Sequence, residues 1–595
     1  MALLWTLLLS LSLIRLLWRR PWAVIVRDSR PTLSFVCLLA WIVQRLLRPD
    51  TPSLLSLQLN LLEQLQRQSS EFFVDRSGVS AVVDSLWKWI EDVCGVLLFA
   101  GLVRFGYRLV HERDWSESLV EGLFQWAVEH IPQVSKQVDQ HLEEAAASAN
   151  ALLHKDDVRE RCLELPRKGR SHAQLLEELQ SHSIQEDAKW KAGKVSGTVY
   201  GCDDQHTKLM GDVFATYSWS NPLHPGYWPR LNQCEAEVIA MTAHMLHADS
   251  PIGAVTSGGT ESIILAIRAH LNHYGRRRHI HHPELVCGAS AHAAVDKACE
   301  MFGIRKVVVG CDSNYRLDLK QVRRNITSNT ILIYASAPTY PQGVVDPIAA
   351  LSDIALEYDI GLHVDACLGG FVLPFVEDAP VFDFRHLGVT SMSADTHKFG
   401  YASKGTSVVV YRTKELRHGQ YFSYAKWSGG LYATPTIAGS RPGGLVACAW
   451  ASLMAIGYDG YQERARQIVE AARLMAKGVD EIDGVQLLTE QPFMVVCVGS
   501  DSLDIYQVQD AMSALGWSLN ALQNPASFQI CVTLNVAPKA HEFVKDLRQA
   551  VRKVQSEPTP KHKQGTAGIY GTASTLPAGP VDLTLKAFTD ATITP

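Results

Sequence analysis

A three-layer α/β body on a mainly parallel sheet is the fold this 595-residue sequence predicts. From about residue 239, short β-branched runs alternate with amphipathic helical stretches, the pattern of βαβ crossovers. Glycine turns bearing hydroxyl or acidic side chains sit where such runs end, which is where open α/β sheets place their ligands. The composition, 47% hydrophobic and 20% charged, is that of a globular chain, and its length allows about four domains at roughly 150 residues each.

Charge excludes one class of function. A net charge of −5 leaves no broad basic surface to neutralise phosphates, so nucleic-acid binding by the whole chain is not expected. Residues 1–50 carry seven arginines against Asp28 and Asp50, a local +5 that leaves −10 for the remainder. A basic, apolar start on an acidic body suggests a membrane-associated enzyme. The twelve cysteines are scattered, with no C-x-x-C pair and no cluster at zinc spacing, so reduced thiols and no metal centre are expected.

Taken in order, residues 1–115 contain three apolar stretches, at 1–14, 31–43 and 93–103. None reaches the roughly 18 uncharged residues of a clear transmembrane helix. The third lengthens to 93–110 if Arg104 and Arg108 extend to the interface. Glu91 and Asp92 precede it and Arg104, Arg108 and Arg113 follow it, which places its C-terminal side in the cytosol. The expected organisation is a membrane anchor over 1–115 and a polar helical stalk over 116–190. A large domain over 191–445, a small C-terminal domain over 446–557 and an extended tail over 558–595 follow.

Candidate strands of the large domain lie at 285–287, 306–309, 331–335, 361–365 and 407–411, with helical stretches at 261–272, 291–301 and 347–357. Thr256-Ser-Gly-Gly-Thr-Glu-Ser262 opens the first helix. Its glycines let the backbone approach an anion, and free amides at a helix start favour phosphate. Alone, such a turn is more often a plain loop. His363-Val-Asp365-Ala-Cys-Leu-Gly-Gly370 ends a strand in an acid, suited to a pyridinium nitrogen, to a metal, or simply to starting a turn. Asp395-Thr-His-Lys398 sets a lysine among small polar residues. Most lysines are solvated, whereas a buried lysine with a lowered pKa is what a Schiff base to an aldehyde cofactor requires. A phosphate cradle, an acid and such a lysine, in that order on an α/β body, point to pyridoxal 5′-phosphate.

The arrangement resembles the fold-type I pyridoxal-phosphate enzymes of the group II decarboxylase superfamily. More narrowly, five segments resemble the sphingosine-1-phosphate lyase family: Ser196-Gly-Thr-Val-Tyr200, Trp219-Ser-Asn-Pro-Leu-His224, the Asp365 segment, Asp395-Thr-His-Lys398 and Thr434-Pro-Thr-Ile-Ala-Gly-Ser-Arg441. The likeness runs from about residue 189 to 570. It implies that Lys398 forms the Schiff base and that Gly258, Gly259, Thr260 and His397 hold the cofactor phosphate. It also implies that Asp365 pairs with the ring nitrogen and that His292 stacks on the ring. Tyr200, His224 and Lys404 match positions that bind the substrate phosphate. Ser440 and Arg441 match a loop reaching the partner's site in a homodimer, and Tyr570 is implied to close the pocket.

The activity so implied is retro-aldol cleavage of a sphingoid base 1-phosphate to phosphoethanolamine and a long-chain aldehyde, by an enzyme of the endoplasmic reticulum membrane whose body faces the cytosol. The base is left open among the cofactor phosphate, a tyrosine and a histidine. Two other readings use the same features. An amino-acid decarboxylase acting on glutamate or an aromatic amino acid would share the cofactor machinery. A non-catalytic membrane scaffold would be marked by loss of Lys398, Asp365 or the Gly258-Gly259 turn, and all are present.

Overall fold

The computed structural model describes residues 162–201, 203–556 and 578–593, with scattered positions between 124 and 143. The apolar stretches at 1–14, 31–43 and 93–103 lie outside the described residues, as does Tyr570. Among the described residues, no helix is long and apolar enough to cross a membrane.

Within the unit Glu160–Leu576, helix α1 (His172–Lys191) starts at Ser171, whose hydroxyl accepts from the Gln174 amide while the Gln174 side chain accepts from the Ser171 amide. Helices α2 (Asp204–Tyr217) and α3 (Pro229–Met245) follow, the latter with proline in its first turn. Strands β1 (Gly253–Thr256), β2 (Glu284–Gly288), β3 (Arg305–Val309), β4 (Thr330–Ser336), β5 (Gly361–Asp365), β6 (Ser391–Ala394) and β7 (Ser407–Tyr411) then form one seven-stranded sheet, ordered β1-β7-β6-β5-β4-β2-β3. Helices α4 (Gly259–His270), α5 (Ala294–Phe302), α6 (Leu319–Asn325) and α7 (Ile348–Glu357) connect them.

The sheet is mixed. Strands β3, β2, β4, β5 and β6 are mutually parallel, whereas β7 runs antiparallel to both β6 and β1. The mainly parallel sheet that was expected is found, and β7 is the strand that departs from it. The connection 395–406 contains no helix to carry the chain across the sheet, so β7 returns beside β6 in the opposite direction.

Each face of the sheet has its own helix layer. Ile263, Ile264 and Ile267 of α4 and Val295 and Ala298 of α5 pack on one face with Leu285 and Tyr334. Leu231 and Val238 of α3 and Leu351 and Ile354 of α7 pack on the other with Ile333, Val364, Met392 and Val408. Two strands, β1 and β6, escaped the sequence reading. The first has only four residues, and the second carries Ser391 and Ser393 in a fully buried strand where apolar residues are the usual signal.

After α8 (Lys414–His418) and the hairpin β8 (Phe422–Tyr424)–β9 (Tyr432–Thr434) comes the long helix α9 (Gly443–Asp480). It breaks at Gly457, where φ is 65° and ψ 174°. Strands β10 (Gln486–Leu487), β11 (Val495–Gly499), β12 (Asn520–Leu522) and β13 (Ser527–Cys531) form an antiparallel sheet ordered β10-β11-β13-β12. Helices α10 (Ile505–Ala514) and α11 (Ala540–Ser556) belong to the same part of the chain. Residues Phe543, Leu547, Ala550 and Val551 make one buried face of α11.

In the other unit, residues 578–593 form helix α12 (Ala578–Ile593) where an extended tail was expected. Pro580 sits in its first turn, where its missing amide costs nothing, and Lys586 pairs with Asp582 one turn away at 2.7 Å.

Candidate active site

The parallel strands deliver their functional side chains at their carboxyl ends, and Asp365, the last residue of β5, is the first of these. Its Oδ1 accepts from the Cys367 amide at 2.9 Å and the Ser393 hydroxyl at 3.1 Å, and its Oδ2 from the Tyr334 hydroxyl. Burial by itself would raise the pKa of this carboxyl. Hydrogen bonds from Cys367 and Tyr334 outweigh burial and hold it below the usual range.

Lys398 lies on the turn between β6 and β7, with its Nζ 2.9 Å from Asp395 Oδ2. The lysine pKa does not follow the expected lowering. Burial acts in that direction, but the Asp395 carboxylate, ahead of weaker contributions from Cys367, Tyr200 and Asp365, keeps the ammonium protonated well above its ordinary range. Sequence reasoning quoted Asp395 in a motif yet gave it no role. The available signal was the alternation Ser391, Ser393, Asp395, which puts three polar groups on one side of an otherwise apolar segment.

The turn after Lys398 is held from a distance. Ser452 and Tyr461 of α9 both hydrogen-bond to the Gly400 carbonyl, and His206 Nε2 of α2 lies 3.0 Å from the Tyr401 carbonyl. Tyr401 itself has φ 59°, a conformation that such anchoring sustains.

The glycine turn leads into α4, which begins at Gly259. A Cβ at Gly259 would sit 2.8 Å from both Asp395 Oδ2 and Cys367 Sγ, and one at Gly258 would sit 3.2 Å from His397 Cε1. Glycine is therefore what lets this loop lie against the Asp395–His397 segment. The first amides of α4, at Gly259 and Thr260, have no intrahelical acceptor. Glu261 braces the turn, accepting from the Ser257 amide at 2.6 Å and from the Ile437 amide at 3.0 Å. His397 Nδ1 accepts from the Thr406 amide at 3.1 Å, leaving its Nε2 as a donor, and burial lowers its pKa so that it is neutral.

Tyr200 packs edge-on against Phe399, with ring centroids 4.8 Å apart, and Lys404 Nζ lies 4.7 Å from the Tyr200 centroid and 3.3 Å from the His397 carbonyl. Although the Lys404 side chain is exposed overall, its ammonium is sheltered by these groups. That shelter, followed by the charge of Lys398, lowers its pKa. Lys398, His397, Lys404, Tyr200, Asp365 and the Gly258–Gly259 turn are thus brought to one place.

The hydrogen bonds of the other expected residues lie outside this cluster. His292 is exposed and its Nδ1 accepts from the Ala294 amide at the start of α5. His224 is exposed in a turn, its amide bonded to the Asn221 carbonyl. Ser440 Oγ accepts from Asn221 Nδ2 at 3.0 Å. Arg441 pairs bidentately with Glu235 of α3, both side chains being largely buried, so its reach toward a partner would require that pair to part.

The donor set suits pyridoxal 5′-phosphate. An amine is available for an aldehyde, and a buried carboxylate for a ring nitrogen. Helix-start amides beside a neutral histidine suit a phosphate, and a side chain on the glycine turn would crowd Asp395, Cys367 and His397. Asp395 Oδ1, buried and without a hydrogen-bond partner among the described residues, is one more acceptor beside Lys398.

Comparison with known proteins agrees with this chemistry. The pyridoxal-dependent decarboxylase conserved domain matches residues 161–499. The sphingosine-1-phosphate lyase of Dictyostelium discoideum is 42% identical over 510 residues, covering 84% of this chain and 96% of that protein. Among solved structures, the Burkholderia pseudomallei sphingosine-1-phosphate lyase is 40% identical with a TM-score of 0.65, over 68% of this chain and 95% of its own. The glutamate decarboxylase of Lactobacillus brevis, 22% identical with a TM-score of 0.59 over 69% of this chain and 98% of its own, shares the fold alone.

Proposed function

The chain belongs to the pyridoxal-dependent decarboxylase family and, within it, to the sphingosine-1-phosphate lyases, and from that premise we propose how its own residues divide the work. The enzyme is a pyridoxal 5′-phosphate-dependent lyase that cleaves sphingoid base 1-phosphates to phosphoethanolamine and a long-chain aldehyde. The observation that carries the residue assignment is the meeting of Lys398, Asp395 and Asp365 at the carboxyl end of the sheet, beside a glycine turn.

Bound pyridoxal 5′-phosphate supplies an aldehyde for an amine and a ring that takes up the electron pair released when the carbon–carbon bond breaks. Lys398 Nζ is the amine that holds the cofactor between turnovers, and Asp395 Oδ2, at 2.9 Å, takes part in moving its proton. Asp365 stays ionised and faces the ring nitrogen, keeping a proton on that atom. The amides of Gly258, Gly259 and Thr260, with His397 Nε2–H, hold the cofactor phosphate. His292, just before α5, would cover the ring. Lys404, Tyr200 and His224 bind the substrate phosphate, with Lys404 supplying the charge.

In the balanced reaction the hydroxyl oxygen loses its proton, and the carbon that bears it leaves as the aldehyde. The neighbouring carbon, which bears the amine, gains a proton and leaves in phosphoethanolamine.

The assembly is a homodimer, with Ser440 and Arg441 near the partner's site and Tyr570 closing the pocket. Exposed apolar side chains near that loop support this reading, with Trp219 92% and Leu431 88% exposed. Residues 1–115 anchor the enzyme to the endoplasmic reticulum membrane with the body in the cytosol. The reading rests on the basic, apolar start and the charge asymmetry around 93–103.

The test is product analysis of the pyridoxal-phosphate-loaded protein with dihydrosphingosine 1-phosphate. Hexadecanal and phosphoethanolamine are expected from the native chain and not from Lys398→Ala. Equal product from both would reject Lys398.

A further inference from the structure

Behind the Asp365 carboxylate the sheet carries polar side chains that the roles above leave unused. His363 and Asp365 alternate along β5, and Ser391 and Ser393 along β6, so all four project from one face. The ladder sets His363 opposite Ser391, and Asp365 opposite Ser393. His363, Ser391 and Ser393 are fully buried. Ser391 Oγ lies 2.8 Å from His363 Nδ1, His363 Nε2 lies 3.2 Å from Ser393 Oγ, and Ser393 Oγ lies 3.1 Å from Asp365 Oδ1. The Tyr334 ring, opposite His363 in the ladder, stacks on it at 5.6 Å and sends its hydroxyl to Asp365 Oδ2.

Counting hydrogens fixes the direction of these bonds. An ionised carboxylate only accepts, so the single hydrogen of Ser393 goes to Asp365. The Ser393 oxygen can then only accept, from His363 Nε2–H and from the Cys367 thiol at 3.2 Å. His363 is thereby the Nε2–H tautomer, and its Nδ1 lone pair takes the hydrogen of Ser391. Every hydrogen in Ser391–His363–Ser393 points toward Asp365. Burial lowers the His363 pKa to about 4, so the series carries aligned dipoles rather than a second charge. Dipoles in line at low dielectric reinforce one another, and donors aimed at a carboxylate favour its charged form.

We propose that His363 is a positioning residue: with Ser391 and Ser393 it forms a one-way relay that holds Asp365 ionised and oriented, and so sets how firmly the ring nitrogen of bound pyridoxal 5′-phosphate keeps its proton. This rests on the reading that Asp365 pairs with that nitrogen. The relay makes the acid's charge depend on a histidine that never touches cofactor or substrate.

The test loads the full chain with pyridoxal 5′-phosphate carrying 15N in the ring, whose NMR shift reports protonation at that atom. Ser393→Ala removes one donor with little change of shape, His363→Leu removes the middle of the relay, and His363→Asn keeps a donor and an acceptor. Ser393→Ala and His363→Leu are expected to move the 15N signal toward the unprotonated position. Both should lower kcat about tenfold, the effect of roughly one pKa unit, with KM within about twofold. His363→Asn is expected to recover part of both, and combining Ser393→Ala with His363→Leu should add nothing further. If His363→Leu does not fold, Ser393→Ala and His363→Asn decide the matter alone. A folded Ser393→Ala enzyme with an unmoved signal overturns the relay, provided Asp365→Asn moves it. If Asp365→Asn also leaves the signal unmoved, the Asp365 reading fails and the relay with it.

Discussion

Ser452 and Tyr461 donate their hydroxyls to one acceptor, the carbonyl oxygen of Gly400, each at 2.8 Å. In an unbroken helix these positions would face roughly opposite sides and lie about 13 Å apart along the axis. The break at Gly457 is what brings both to the turn that carries Lys398. A carbonyl has two lone pairs, so either hydroxyl alone still leaves it bonded. Tyr461→Phe and Ser452→Ala should each cost about 1 kcal/mol, and the double variant about 1–3 kcal/mol beyond their sum, because only then is a buried carbonyl left bare. Urea unfolding of the three variants measures this, and simple additivity would contradict the shared acceptor.

Gly259→Ala should weaken retention of pyridoxal 5′-phosphate. Its Cβ would meet Asp395 Oδ2 and Cys367 Sγ at 2.8 Å, and overpacking of that kind costs about 1–3 kcal/mol, or roughly 5- to 150-fold in affinity if it falls wholly on the cofactor-bound state. Gly303→Ala is the control. That glycine has φ 64° with open space around it, so alanine there should cost stability without changing the cofactor dissociation constant measured by fluorescence titration.

Asp395→Asn should lower the Lys398 pKa, because the carboxylate is the largest influence raising it. Removing an adjacent opposite charge commonly moves a pKa by about 1–3 units. The rate at which cofactor-free protein develops the bound-cofactor absorbance, followed against pH, should keep its form and move to lower pH. A profile that does not move would remove Asp395 from this role.

Two buried histidines make stability depend on pH. Burial lowers the pKa of His363 to about 4 and that of His270 to about 3, whereas both titrate near 6.5 when unfolded. Below pH 6.5 the unfolded chain therefore binds more protons than the folded one. Each histidine then removes up to about 1.4 kcal/mol of stability per pH unit as pH falls toward 4. Denaturant unfolding between pH 7.5 and 5 should show the decline, and His270→Leu should make it shallower. An unchanged slope in that variant would show that His270 is not a source of it.

What the sequence made legible was local in the chain. Asp365 at a strand end, the glycine turn opening a helix and Lys398 in its polar setting each announce themselves within a few residues, and all three meet at one end of the sheet. What stayed hidden was non-local. Nothing near Gly400 indicates that residues 206, 452 and 461 hold its turn, and nothing near Arg441 indicates Glu235 on another helix. Strand β6 was missed because Ser391 and Ser393 interrupt the apolar run that usually marks a buried strand, although they alternate with Met392 and Ala394 in strand period. The antiparallel return of β7 depended on the absence of a helix between it and β6, which a search for strands and helices does not weigh.

The alternation in β6 has a consequence for how the sheet finds its pairing. Met392 and Ala394 enter the apolar core on one side, while Ser391 and Ser393 meet His363 and Asp365 on the other. Sliding β6 by one residue along β5 would press two hydroxyls into hydrocarbon and set Met392 against an imidazole stripped of its partners, so a one-residue slip loses on both faces at once. The polar pair thus works as a registration mark for the assembling sheet, set on the strand that carries the chain to Lys398.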